Sequence, residues 1–105
     1  MMERIDLTTR VVGAPGALGL ETRVGFREQA VEALAGLPED GILVIDFVGT
    51  GKIDSAGLGV LMLIERKAEE RRQRVVLRNL KDEFKYLLVL TKLDDLFEIE
   101  SAPRR

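Results

Sequence analysis

The sequence predicts an α/β fold in which helices pack against a small, mixed but mostly parallel sheet. Short apolar runs of strand length alternate along the chain with longer segments whose apolar residues recur at helical spacing. Strands that alternate with helices favour parallel pairing, because each helix carries the chain back to the same end of the sheet. The 105 residues contain no internal repeat or low-complexity linker, so residues 1–105 are predicted to form a single domain.

The first third of the chain is predicted to hold one strand, a short ambiguous segment and the first helix. Polar residues alternate with Ile5, Leu7, Thr9 and Val11, as in a half-buried strand. The segment Gly13-Ala-Pro-Gly16 interrupts this strand, and Ala17 to Leu20 is either a short second strand or a loop. A helix is predicted to follow Thr22, a suitable N-cap, and to end at Gly36-Leu-Pro38.

The rest of the chain continues the alternation of strands and helices. Residues 42–47 are almost continuously apolar, which is typical of a strand covered on both faces. The elements predicted after it are a helix over 55–73, a strand over 74–78, a helix over 82–92, a short strand over 96–99 and a polar tail over 101–105.

Composition excludes several classes of function. The chain has no cysteine, which removes disulfides and thiolate chemistry, and no histidine, the commonest general base and metal ligand. A net charge of −2 gives no overall basic field for nucleic acid. No apolar run is long enough to span a membrane, and residues 1–10 do not resemble a signal peptide. We therefore expect a cytoplasmic protein that needs no metal or cofactor and binds neither nucleic acid nor membrane.

A serine follows the central strand at the edge of the sheet where ligands and partners usually bind. The segment Ile53-Asp-Ser-Ala-Gly-Leu-Gly59 places Ser55 at the predicted start of a helix. Two interpretations of Ser55 remain open. It is either a plain N-cap, which stabilises a helix by about 1 kcal/mol, or a phosphoacceptor whose phosphate the helix N-terminus would tolerate. The small residues Ala56, Gly57 and Gly59 leave its hydroxyl within reach of another protein's active site.

Catalysis is the weaker hypothesis for this segment. A serine nucleophile at Ser55 would have no histidine as its base. The stretch Gly49-Thr-Gly-Lys52 fails as a phosphate-binding loop, because Asp46 and Ile53 stand where that loop needs glycine and Ser or Thr. Asp46 and Asp54 could hold Mg²⁺, but two acids on either side of a strand end are common by chance. The residues thus favour a protein that is not an enzyme, with a nucleotide-binding or hydrolytic role as the least favoured class.

The helix after Ser55 carries apolar residues on more than one face. A stripe predicted to pack on the sheet contains Gly57, Val60, Leu61, Ile64 and Ala68. Leu58 and Met62 lie more than about 100° away from that stripe. They are either part of a wide buried face or an exposed apolar ledge suited to a docking partner.

The segment from Leu43 to Leu61 resembles the signature of STAS domains, in particular stand-alone bacterial anti-sigma-factor antagonists. In those proteins a strand ends in an acidic residue and a loop leads to Asp-Ser-Ser/Ala-Gly-Leu-Gly at the start of a helix. The segment from Leu88 to Ile99 is similar to the family's last helix and strand, so the resemblance covers about residues 20–100. It implies a STAS-like fold.

The resemblance also implies a function without catalysis. Family members are phosphorylated on the motif serine by a partner that is both a serine kinase and an anti-sigma factor, and phosphorylation ends their binding to that partner. Ser55 is then the phosphoacceptor of a phosphoprotein in signal transduction and transcription regulation. The residues expected in or beside the partner-binding surface are Thr22, Asp54, Ala56, Gly57, Leu58, Gly59 and Met62.

The N-terminal region departs from the family pattern. Family members have two full strands before the first helix and a Leu-Asp-x-x-Thr turn, whereas here residues 1–20 are shorter and Gly19 stands in place of the acid. This departure leaves a second function open, that of a non-catalytic scaffold subunit in a larger signalling or transport complex. In that case Leu58 and Met62 would lie in a permanent interface. The expected self-association is a weak homodimer or a STAS assembly.

Overall fold

The computed structural model describes residues 7–100, so the predicted polar tail and the part of the first strand before Leu7 lie outside the described residues. The elements alternate as the sequence predicts. In chain order they are β1 (Thr9–Gly13), β2 (Ala17–Leu18), α1 (Arg23–Ala35), β3 (Ile42–Asp46), β4 (Lys52–Ile53), α2 (Ser55–Glu70), β5 (Arg74–Arg78), α3 (Asp82–Leu90) and β6 (Glu98–Ile99), with a 3-10 turn at Asp94–Leu96.

Two sets of strands build the sheet structure of the described residues. The larger sheet has the order β1-β3-β5-β6, and each of its neighbouring pairs is parallel. A second, two-stranded parallel ribbon joins β2 to β4. The prediction of an α/β fold with a mostly parallel sheet is confirmed. Because the strands are parallel, the loops that follow β1, β3 and β5 meet at one edge of the sheet.

The hydrophobic core lies between the larger sheet and the helices. The inward-facing residues of β3 and β5 meet the apolar stripe of α2, whose predicted members Gly57, Val60, Leu61, Ile64 and Ala68 are all buried. From α1 the core receives Phe26, Ala30, Ala33 and Leu34. None of the helices formed by residues 7–100 is long and apolar enough to cross a membrane.

The helices α2 and α3 end earlier than their apolar patterns predict, and local backbone geometry explains this, whereas α1 ends before Gly36 as predicted. After α2, Arg72 adopts the left-handed conformation with φ 57°, which a regular helix cannot continue through. Lys92 does the same after α3 with φ 60°. The last strand starts at Glu98 rather than at Leu96 because the chain first makes the 3-10 turn.

Candidate functional site

The edge where the site lies is held together by hydrogen bonds between the loops after β1 and β3. Thr50 is completely buried, and its hydroxyl donates to the carbonyl oxygens of Pro15 at 2.9 Å and Ala14 at 3.4 Å. The Gly51 N–H donates to the Gly16 oxygen at 2.8 Å, and the β2–β4 ribbon begins at the next residue of each loop. These contacts fix the position at which α2 begins.

Asp54, and not Ser55, is the N-cap of α2. Its backbone is extended, with φ −105° and ψ −175°, and its Oδ1 accepts a hydrogen bond from the Gly57 N–H at 2.9 Å. Its Oδ2 lies 3.4 Å from the Leu20 nitrogen, which ties the start of α2 to the loop before α1. The hydrogen bond from Gly57 lowers the pKa of Asp54, and the one from Leu20 adds to this effect. The interpretation of Ser55 as a plain N-cap is therefore wrong.

Ser55 is the first residue of α2 and is exposed to solvent. Its hydroxyl forms no hydrogen bond with any other residue between Leu7 and Glu100. Gly59 and Met62 follow at intervals of four and three residues, so they lie along the same exposed face of the helix. The hydroxyl is thus free of any role in the fold and open to a partner protein.

Thr22 occupies the predicted N-cap position of α1, but its side chain does not cap the helix. Its hydroxyl accepts a hydrogen bond from the Gly19 N–H at 3.0 Å and donates to the Ala17 oxygen at 2.7 Å. Thr22 therefore closes the turn between β2 and α1, where it lines a hollow of about 370 Å³ together with Leu20 and Asp54.

Gly19, which stands where the family pattern has an acid, packs closely against Asp54 in the same turn. A Cβ atom on Gly19 would lie 2.7 Å from Cγ and 2.9 Å from Oδ1 of Asp54. A side chain at residue 19 would therefore displace the Asp54 carboxylate from its present capping position. An acid there would also bring a second negative charge against the Asp54 carboxylate.

The two glycines of the motif differ in their surroundings. Gly57 is buried, and an added Cβ would contact the Leu18 carbonyl oxygen and come within 3.1 Å of Cγ2 of Ile53. Gly59 is exposed, and no atom outside its own helix turn lies within 4 Å of an added Cβ. Packing therefore requires glycine at position 57, which leaves little of it for a partner to contact, whereas packing does not require glycine at position 59.

Of the two interpretations of Leu58 and Met62, a wide buried face and an exposed apolar ledge, each fits one of the two residues. Leu58 is half-buried and packs against the core, which corrects the interpretation that it is exposed. Met62 is 40% exposed. Two other apolar side chains near the start of α2 are more exposed, Leu20 at 64% and Val24 at 57%. The apolar surface around Ser55 is thus formed by Leu20, Val24 and Met62.

A groove of about 470 Å³ runs between α1 and the first half of α2, and its lining includes Ala56, the residue after Ser55. We call it the α1–α2 groove. Its lining consists of Arg23, Val24 and Arg27 from α1, and of Ala56, Gly59, Val60 and Leu63 from α2. The two arginines were not among the predicted site residues. The signal that could have found them is a pair of arginines four positions apart at the start of an otherwise ordinary helix.

Asp46 shapes the loop after β3. Its Oδ1 accepts hydrogen bonds from the Asn79 side-chain amide and from the Val48 N–H, both at 2.9 Å, and these bonds lower the pKa of Asp46. Neither it nor Asp54 belongs to a cluster of three potential metal-ligating side chains in the part of the chain that the structure describes. Both acids hold backbone in place, so Mg²⁺ coordination is not needed to explain them.

The fold and the sequence both match known proteins. A family model described as "Mlab, STAS domain" matches residues 1–98. An anti-sigma-factor antagonist (STAS) domain protein from Planctomyces limnophilus is similar with a TM-score of 0.80 and 16% identity, over 93% of this chain and 86% of that one. A candidate anti-sigma factor antagonist from Thermotoga maritima is similar with a TM-score of 0.77 and 19% identity, over 94% of this chain and 84% of that one. The anti-sigma factor antagonist SpoIIAA in its unphosphorylated form is similar with a TM-score of 0.71 and 17% identity, over 98% of this chain and 88% of that one.

These structural likenesses are at low identity and concern the fold, while the family model spans nearly all of the chain. The alternation of strands and helices, the Asp54-capped start of α2 and the motif around Ser55 agree with it. The chain therefore belongs to the STAS domain family.

Proposed function

We propose that this STAS domain is an anti-sigma-factor antagonist that binds an anti-sigma factor with serine kinase activity and is released when Ser55 is phosphorylated. It acts by binding in the cytoplasm and needs no catalysis of its own. The proteins of similar fold that are described as anti-sigma-factor antagonists support this proposal. The family model supports the domain class.

The observation that carries the proposal is the position of the Ser55 hydroxyl. Asp54 supplies the capping hydrogen bond of α2, so Ser55 can be modified without removing a contact that the fold uses. A phosphate on the first helical residue lies next to backbone N–H groups that have no partner within the helix. The folded domain can therefore carry the phosphate.

The same phosphate is unfavourable for a docked partner. It brings about 1.5 to 2 negative charges to an exposed position near Leu20, Val24 and Met62. An apolar contact that covers these side chains would have to desolvate the phosphate, which is costly without a paired cation. Phosphorylation thus weakens binding while the fold stays intact.

The proposal is tested with the serine-kinase anti-sigma factors encoded in the same genome. The wild-type protein should gain the mass of one phosphate when incubated with its cognate kinase and ATP. Ser55→Ala should abolish this gain, and Ser101→Ala, at the chain's other serine, should retain it. Absence of modification by every such kinase would contradict the switch.

A second test separates the switch from a role in stability. Ser55→Asp should abolish binding to the kinase partner with almost no change in the free energy of unfolding, because Ser55 is exposed and uncoupled from the fold. Asp54→Ala, by contrast, should cost about 1 kcal/mol because it removes the cap. A loss of stability in Ser55→Asp as large as in Asp54→Ala would contradict the assignment.

A scaffold subunit of a larger complex is the second candidate. The exposed apolar side chains of Leu20, Val24 and Met62 favour it, since a permanent interface would cover them. Light scattering on the protein purified from its native source distinguishes the two. A stable assembly that persists with phosphorylated Ser55 supports the scaffold, and a monomer or weak dimer supports the antagonist.

A further inference from the structure

The α1–α2 groove contains two arginines that have no partner in the described part of the fold. Arg23 and Arg27 line it from α1, and neither guanidinium pairs with an acid or accepting group between residues 7 and 100. No acidic residue stands three or four positions from either arginine, the spacing at which a helix places a stabilising counter-charge. Both positive charges are therefore available to a partner.

Their positions do not stabilise the helix that carries them. Arg23 is the first residue of α1, where the helix dipole favours acids, and the first turn of α1 has none. Arg27 lies one turn further on the same face, so the two like charges repel each other. Arginine has a good helix propensity, but neither the helix dipole nor side-chain pairing along α1 favours a positive charge at these positions.

The opposite wall of the groove is small and apolar. Ala56 and Gly59 line the groove from α2. The absence of a side chain at Gly59 leaves a gap, although packing within the domain does not require glycine there. A missing side chain at an exposed helix position lets another chain approach the backbone closely. Val24 and Leu63 add apolar contact area beside the arginines.

We infer that the α1–α2 groove binds an acidic segment of the partner protein, whose carboxylates pair with Arg23 and Arg27 while its apolar side chains cover Val24 and Gly59. The inference rests on the proposed function for the existence of a partner and adds the chemistry of that partner. Arginine is suited to this role because its planar guanidinium binds a carboxylate through two hydrogen bonds. The lining residues of the groove include these two positive charges and no acid, on a chain whose net charge is −2.

An acidic partner also gives the Ser55 switch an electrostatic mechanism. Ser55 lies one helical turn before Gly59 on the same face of α2. Gly59 lines the groove, and a phosphate on Ser55 would lie about 6 Å from it along the helix, inside the Debye length of about 8 Å at physiological salt. The phosphate would therefore repel carboxylates that are bound in the groove.

The test uses a phage-displayed random-peptide library selected on the immobilised full-length protein. Enriched peptides should be rich in Asp and Glu, and one of them, made synthetically, should bind more weakly as salt is raised. Its affinity should fall by about tenfold in the double variant Arg23→Glu, Arg27→Glu, and by less in Arg23→Gln, Arg27→Gln. A matched control, Lys81→Glu with Lys92→Glu, makes the same change of net charge at the ends of α3 and should leave affinity unchanged.

Neutral or basic enriched peptides, no enrichment, or equal losses in the arginine and lysine variants would overturn the inference. The Ser55→Asp variant separates this failure from that of the proposed function. Weaker peptide binding in Ser55→Asp supports both. If Ser55 phosphorylation releases the kinase partner but the double variant Arg23→Glu, Arg27→Glu binds it with unchanged affinity, the proposed switch stands and the inference of an acidic segment is wrong.

Discussion

The two ends of α2 are built differently. Just beyond its C-terminal end, a polar side chain ties α2 to the end of α1. Gln73 is buried, and its amide nitrogen donates to the carbonyl oxygens of Leu34, Leu37 and Pro38 at 2.9 to 3.2 Å. At the N-terminal end, Asp54 caps the helix and Gly57 is required by packing. Ser55 and Gly59, by contrast, have neither role. The two motif residues without a packing or capping role, Ser55 and Gly59, therefore lie where we place partner binding.

The largest effect is expected from Gly57→Ala. The new methyl group would press on the Leu18 carbonyl and separate β2 from α2, at a cost of about 3 kcal/mol. Urea unfolding measures this, with Gly25→Ala as the control, since residue 25 is an exposed helix position with nothing within 4 Å. If Gly57→Ala were as harmless as Gly25→Ala, the distinction between the two motif glycines would be lost.

At the other end of α2, Gln73→Met should cost about 1.5 kcal/mol. Methionine has nearly the same shape but cannot donate to the carbonyl oxygens of Leu34, Leu37 and Pro38, in the last turn of α1 and just after it. The loss is reduced because the buried Oε1 of Gln73, which has no hydrogen-bond partner among the described residues, is removed as well. Thermal unfolding should show a clear loss relative to Gln29→Met, a similar change at an exposed position of α1. A loss no greater than that of the control would mean that the amide contributes little to this end of the helix.

This difference between the two ends explains how much the sequence could predict. The periodicity from Val60 to Ala68 predicted the buried stripe correctly, because burial against a sheet is a repeating constraint. The strand Arg74–Arg78 was predicted to the residue. In contrast, β4 has only two residues, too few for any periodicity, and its pairing with β2 depends on loops that meet only in the folded chain.

The site was predicted less completely than the fold. The motif located Ser55, but whether Asp54 or Ser55 caps α2 depends on one backbone angle and one hydrogen bond. Arg23 and Arg27 lie about 30 residues before Ser55 and reach the groove only through the packing of α1 on α2. A spacing argument along the chain cannot show such a contact.

Midway between the two ends, Glu65→Gln should stabilise the protein above neutral pH. Burial raises the pKa of Glu65 to about 7, and Glu69 and Glu98 contribute to the rise. A raised acid pKa means that the folded state disfavours the ionised form. The penalty is absent below pH 4.5, grows between pH 4.5 and about 7, and is complete above that.

The expected gain for Glu65→Gln is about 1 kcal/mol near pH 8, after allowance for the partial exposure of the side chain. Unfolding curves at several pH values measure it, with the exposed Glu70→Gln as the control. A gain that did not shrink as pH falls would show that the penalty at Glu65 is not one of ionisation. Glu98, which helps to raise the pKa of Glu65, pairs with Arg74 at 2.6 Å. Arg74 should therefore be left unchanged in every variant, so that the charge near Glu65 stays the same.

The smallest effect is the sharpest test of the comparison. Gly59→Ala should stabilise the protein by about 0.7 kcal/mol, because alanine has the higher helix propensity and nothing obstructs its methyl group. Arg72→Gly should give a similar gain at the other end of α2, where φ is 57°. Only Gly59→Ala should weaken binding of the acidic peptide, because its methyl group closes the gap in the groove. Equal binding by the two stabilised variants would mean that Gly59 serves neither the fold nor the partner.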